Sequence, residues 1–219
     1  MALILYHGAG SPYGWRVWMA LEHKRLDYEL RVLSFDEAEM KQAAYLAINP
    51  RGKVPAIDDG GFTLFESGAI LEYLDERFPQ APLLFPGTVE RRALIRRKAR
   101  EAEQYAAVAL ETLVWAVFYT PRERWDEALI ARGREEFARE LAYWEGAIDG
   151  PGLAGAWSAA DFTLYPLIAL ALRIERVRTD LALRAAIGPR LAAWMARVEA
   201  LPWFARTWPS HWERGGLPG

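Results

Sequence analysis

The chain has 219 residues, enough for one large domain or two small ones, and at 52% hydrophobic it has the material for a sizeable core. A formal net charge of −2 argues against general affinity for nucleic acid, which needs a basic footprint. There is no cysteine, which excludes disulfides, thiolate metal sites and a protein-borne thiol nucleophile. The three histidines, His7, His23 and His211, lack metal-ligand spacing, so no metal site is expected.

Residues 2–6 form a short apolar run that reads as a buried strand; it is too short for a signal peptide and has no basic flank. No segment approaches the length of a membrane span, so a soluble cytoplasmic protein without a membrane partner is expected. After the small-residue loop 7–10, Ser11-Pro12 marks a helix start, a cap followed by proline in the first turn. Val17, Ala20, Leu21 and Lys24 follow at helical spacing. Residues 28–33 alternate like a strand, and 36–46 read as a second helix.

The stretch 49–67 is the most informative. Asn49-Pro50-Arg51-Gly52-Lys53 reads as a turn, Val54-Pro55-Ala56-Ile57 as the mouth of a strand, Asp59-Gly60-Gly61 as a hairpin, and 62–65 as its second strand. Proline at a strand mouth removes a ladder donor and places the strand start at an edge or tight turn. A cis Val54–Pro55 bond would turn the N–H and C=O of Val54 outward, where an extended peptide can pair with them. Glu66-Ser67 opens a helix running to about residue 78, with Ser67 as its cap and N–H groups suited to a carboxylate. An edge that pairs with a peptide backbone, beside a carboxylate pocket, suits a small peptide such as glutathione.

Residues 78–87, rich in proline, form a connector without periodicity. Beyond it every pattern is helical: 88–118, 124–148, the strongly apolar 159–174, and 189–200, closed by a tail, 202–212. The glycine-rich end, 215–219, reads as disordered. The fold class is therefore a mixed α/β first domain, residues 1–78, in the order βαβ-α-ββα, followed by an all-helical second domain, residues 89–219.

These motifs together make the chain similar to cytosolic glutathione transferases, which have a thioredoxin-like first domain. Ser11-Pro12-Tyr13-Gly14-Trp15-Arg16 resembles the serine-dependent classes (tau, zeta, theta), where the serine activates the thiol; taken by itself, Ser11 reads as a plain helix cap. Tyr6, at the end of the first strand, matches the tyrosine of other classes and is the competitor. The resemblance implies that Val54, before Pro55, pairs with the glutathione backbone. It also implies that Ser67 takes the γ-glutamyl carboxylate, that Glu66 faces the ammonium, and that Lys53 or Lys41 approaches the glycyl carboxylate. Tyr13 and Tyr119 fall where the family builds its second-substrate pocket; Trp115, Phe118, Trp208 and Trp212 fall there too, but aromatic residues on helices are more often core. Ser158 and Asp161 resemble a capping box before a buried helix, with a role in folding. The basic run from Arg91 to Arg100 reads as a solvated face or as part of a homodimer interface. The implied activity is attack of the glutathione thiolate on a small hydrophobic electrophile. A glutathione-dependent isomerase of the maleylacetoacetate type, a peroxidase, and a binding module without turnover are the alternatives.

Overall fold

The computed structural model describes residues 3–35 and 38–214. The described residues form two compact units: one runs to Phe85 and takes back Pro202–Glu213, and the other is Pro86–Leu201. The tail that reads from sequence as the end of the helical half thus packs with the first unit.

In the first unit, β1 (Leu3–Gly8) leads through a loop to α1 (Pro12–Lys24), followed by β2 (Tyr28–Leu33), β3 (Ala56–Asp59), β4 (Phe62–Phe65) and α3 (Ser67–Arg77). The sheet order is β2-β1-β3-β4. The β1–β2 pair is parallel, with Tyr6 opposite Arg31, and β3 runs antiparallel to both β1 and β4, with Ala56 opposite Tyr6 and Phe65. This is the mixed four-stranded sheet expected from the sequence. Two details differ. Residue 54 is not on a sheet edge, because β3 is an inner strand; Val54 and Pro55 simply precede its first paired residue, so no ladder donor is lost. In place of one helix over 36–46 there is a 3-10 turn, Glu39–Lys41, and a single turn α2 (Ala43–Leu46). Ala38 in the left-handed region and extended Gln42 interrupt the continuous helical backbone that the periodicity implied; residues 36 and 37 lie outside the described residues. The end 215–219 lies outside them as well.

Period-two alternation in β1 divides its side chains between the two faces of the sheet. Leu5 is fully buried, and His7 lies under α1 and packs against its Trp18. Tyr6 points the other way, into a cluster with Met40, Tyr45 and Ala56. Lys24, the last residue of α1, is buried, where its Nζ meets Asp75 of α3 at 3.4 Å and the Pro82 carbonyl at 3.1 Å. Asp75 also accepts from the backbone N–H groups of Leu84 and Phe85, which fastens the proline-rich connector to α1 and α3.

The second unit is helical. A continuous helical stretch is made of α4 (Val89–Glu101), a π-helical turn at Ala102–Ala106, and α5 (Ala107–Phe118). It is followed by α6 (Glu127–Ala147), α7 (Ala159–Val177) and α8 (Pro189–Glu199). Each matches a sequence expectation within a few residues. Asp161 is fully buried at the start of α7 and closes the capping box: its carboxylate accepts from the Ser158 N–H and hydroxyl, from the Leu153 N–H, and from Trp194 Nε1, all within 2.9 Å. The basic run on α4 splits. Arg91, Arg97 and Arg100 form exposed ion pairs with Asp149, Glu101 and Glu103, whereas Lys98 turns inward and donates to the carbonyls of Ala147 and Leu153.

Candidate active site

The first unit presents two helix N-termini, at Ser11 and Ser67, and a turn, 49–54, that leads into β3. Ser11 is 9% exposed and caps α1: its N–H donates to the Gly8 carbonyl at 2.9 Å, and its Oγ accepts from Gly14 N at 3.2 Å. Gly14 is the third residue of the helix, one of the two whose N–H an N-cap side chain reaches, and Pro12 in the first position lacks an N–H the cap would not have used. A serine hydroxyl has one proton and two lone pairs, and the cap uses a lone pair. The proton is therefore available to a ligand atom at the positive end of the helix.

Tyr6 is placed differently. It lies on the sheet face away from α1, against Tyr45, and its hydroxyl accepts from Arg31 Nη1 at 3.1 Å, with the same guanidinium over its ring. It belongs to a packed cluster on the opposite side of β1 from Ser11.

Ser67 is the first helical residue of α3, not its cap. The capping position is held by Glu66, whose φ of +68° and ψ of 102° lie outside the regions a non-glycine residue ordinarily occupies. Backbone held this way persists only where its surroundings impose it, and such residues cluster at ligand sites. Glu66 is exposed, with Arg51 at 4.0 Å, and Ser67 is 5% exposed. The Ser67 hydroxyl accepts from Arg16 Nη2. Arg16, itself on α1, is buried and its guanidinium carbon lies 5.4 Å from the Tyr13 ring centroid. No role was expected of Arg16 beyond its place in the serine motif. It sits five residues after Ser11 and joins the N-terminus of α1 to that of α3.

The turn before β3 is locked from within. The Lys53 carbonyl accepts from Tyr45 Oη at 2.7 Å and Asn49 Nδ2 at 2.6 Å, while Asn49 Oδ1 accepts from Arg51 N at 3.0 Å. Asn49 is 2% exposed, and an asparagine that bonds the backbone two residues on is a turn signal legible in the sequence. The Lys53 side chain is exposed; Lys41 Nζ reaches the Gly52 carbonyl at 3.3 Å. The Val54–Pro55 bond is cis. Val54 stands beside the end of β1: a Cβ on Gly8 would lie 2.8 Å from Val54 Cγ2, so glycine at residue 8 permits this approach. Ser11 and Val54 are thus linked through Gly8, and Ser67 is linked to α1 through Arg16. Lys53 and Glu66 flank this group on the surface.

The aromatic candidates separate. Tyr13, 40% exposed on the first turn of α1, is open to a ligand. Trp208 and Trp212 pack edge-on against fully buried Trp15, at 5.5 and 5.3 Å between centroids, and belong to the core of the first unit. In the second unit, Tyr119 and Trp115 are both more than half exposed and stack at 4.7 Å, while Phe118 is buried under Arg173.

Known proteins resemble this chain along nearly its whole length. Residues 5–82 match the glutathione S-transferase N-terminal domain, and residues 127–197 the C-terminal domain. Glutathione S-transferase A of Pleuronectes platessa is 30% identical over 216 residues, covering 96% of this chain and 92% of the relative. A probable maleylacetoacetate isomerase of Vibrio cholerae is 31% identical over 220 residues, covering 96% and 97%. The crystal structure of a theta class glutathione S-transferase from Xanthomonas axonopodis pv. citri, with glutathione bound, superposes with a TM-score of 0.76 at 26% identity, covering 94% of this chain and 96% of that one. With two domain matches and relatives of this similarity along nearly its whole length, the chain belongs to the glutathione S-transferase family.

Proposed function

We propose that the Ser11 hydroxyl activates the glutathione thiol for attack on a small electrophile. The observation that carries this reading is the Gly14 N–H bond to Ser11 Oγ, which leaves the hydroxyl proton as a donor at the N-terminus of α1. A free thiol titrates near ~8.5, so ionisation at neutral pH needs a shift of about two units, or ~2.7 kcal/mol. A hydrogen bond to a charged acceptor contributes about 1.5–3 kcal/mol, and the helix dipole adds about 0.3–1 kcal/mol. The two are large enough together. The thiolate then forms the new C–S bond as the leaving group departs from the same carbon with its electron pair, and the thiol proton passes to solvent.

The family resemblance supplies the rest of this reading. The backbone of Val54 pairs with the cysteinyl segment of glutathione. The Ser67 hydroxyl and N–H, with Arg16 behind them, take the γ-glutamyl carboxylate, and Glu66 faces the ammonium. Lys53 meets the glycyl carboxylate more readily than Lys41, whose ammonium is already held by the Gly52 carbonyl. Tyr13 offers an aromatic surface to the electrophile. Detoxification of such electrophiles as a cytoplasmic homodimer fits this reading.

The test is to titrate enzyme-bound glutathione by its thiolate absorbance in the parent, Ser11→Ala and Tyr6→Phe, alongside conjugation of a model aryl halide. Ser11→Ala is expected to raise the thiol pKa by about one to two units, as loss of a charge-assisted bond requires. Its turnover deficit shrinks as pH rises, and its glutathione affinity changes little. Tyr6→Phe leaves the pH profile in place. A shift in Tyr6→Phe and none in Ser11→Ala would overturn the assignment.

A further inference from the structure

The first turn of α1 rests on an imidazole. His7, on the β1 face that α1 covers, is 2% exposed and packs against Trp18 with ring centroids 5.3 Å apart. Its Nδ1 faces the backbone of Gly14: a Cβ there would lie 2.4 Å from Nδ1 and 3.1 Å from Cε1. No side chain fits in that space. Glycine inside a helix is destabilising by about 1 kcal/mol relative to alanine, so its presence at residue 14 answers to this contact. Gly14 is also the residue whose N–H holds Ser11 Oγ at 3.2 Å. The ring, the glycine and the hydroxyl therefore form a single stack from the sheet to the N-terminus of α1.

We infer that His7 is a positioning residue for the Ser11 hydroxyl: its ring sets the height of Gly14, the Gly14 N–H fixes one lone pair of Ser11, and the Ser11 proton is thereby aimed away from the helix at the ligand sulfur. The inference rests on the reading of Ser11 as the thiolate donor. A hydrogen bond weakens steeply as its angle closes, so a small displacement of Gly14 redirects the proton without unfolding the helix. Burial, with His211 as the nearby titratable group, lowers the pKa of His7 to about 4, so the ring stays neutral throughout the range in which the thiol ionises. His7 does not touch the ligand; it acts only through Gly14.

Titration of enzyme-bound glutathione, with kcat and KM at neutral pH, tests this in His7→Ala, His7→Asn, Gly14→Ala, the double variant and Ser11→Ala. His7→Ala is expected to raise the bound thiol pKa by about half to one unit and to lower kcat several-fold, with the KM for glutathione within about twofold. His7→Asn, whose planar amide refills part of the space against Gly14, recovers part of the loss. Gly14→Ala is damaging in the parent and nearly harmless beside His7→Ala, because the atom it would strike is gone; this coupling is what a double-variant cycle measures. If His7→Ala fails to fold, His7→Ser replaces it, and the same shift is expected because it also removes the ring that Gly14 rests on. An unshifted thiol pKa in a folded His7 variant, or equal harm from Gly14→Ala in both backgrounds, overturns the inference while Ser11→Ala still shifts the pKa. No shift in Ser11→Ala overturns the Ser11 reading, and this inference with it.

Discussion

A hydroxyl that holds a helix and also serves a ligand, as proposed for Ser11, must keep the two bonds on different sides of its oxygen. The same division of labour explains Arg16, which spends its charge inside the protein on Ser67. Replacing it with methionine keeps the buried bulk but removes the donor that orders Ser67. Glutathione is then expected to bind about tenfold or more weaker by calorimetry, in keeping with a charge-assisted bond, while the pKa of its bound thiol stays put. The buried histidines predict a pH dependence of stability. Burial is the main cause that holds both His7 and His23 at about 4, against 6.5 for a free imidazole. Between those values the unfolded chain binds protons that the folded chain does not, so stability is level above about pH 6.5 and falls as pH drops towards 4. The steepest contribution is roughly 1.4 kcal/mol per pH unit for each ring. Urea midpoints of the parent and His7→Asn at pH 7, 6 and 5 should diverge in slope by close to one proton.

Among the elements, α7 depends most on a single side chain. Asp161 is wholly buried and collects donors from the loop before the helix and from Trp194 of α8, so it joins three segments. Asp161→Ala strands those donors and is expected to lower stability by about 2–4 kcal/mol, above the loss of an ordinary cap, with the first unit's site unaffected. Thermal unfolding and glutathione binding, measured together, check both halves. Lys98→Met should act similarly but more weakly, by about 1–2 kcal/mol, because it frees carbonyls at the end of α6 and in the loop before α7. How far such features can be read from a sequence depends on the separation of the partners. The Ser158–Asp161 box, the hairpin and the serine cap are local and were legible. The Arg16–Ser67 bond spans 51 residues, and nothing near Arg16 announces it. Ser67 reads as a cap by residue type, and only the backbone of Glu66 shows that the helix begins one residue earlier, at Ser67 itself. The second helix was misread because apolar spacing over 36–46 carries no sign of the left-handed Ala38 or the extended Gln42.

At the scale of the whole molecule, the chain passes twice through its first unit. Trp15 on α1 donates Nε1 to Thr207 Oγ1 at 2.9 Å and is enclosed by Phe204, Trp208 and Trp212, while His211 and Trp212 lie over Gly10, next to Ser11. Arg206 pairs with Glu22 at 3.3 Å farther along the same helix. A chain ending at Leu201 would keep every strand of the sheet yet expose the Trp15 face. Such a variant is expected to melt at least several degrees lower and to show faster amide exchange in α1 than in α7, which hydrogen-exchange mass spectrometry resolves by segment. Undiminished protection of α1 would contradict this account of the tail.

That closure also sets an order of events during synthesis. The ribosome releases the sheet first, then all of residues 86–201, and only afterwards the segment that seals Trp15. At about 5–20 residues per second, the nascent first unit waits on the order of ten seconds with an indole face uncovered. The start of α1 around Ser11 is therefore completed last although its residues are made first. During that interval the exposed tryptophan is a surface that chaperones, or another nascent chain, can reach.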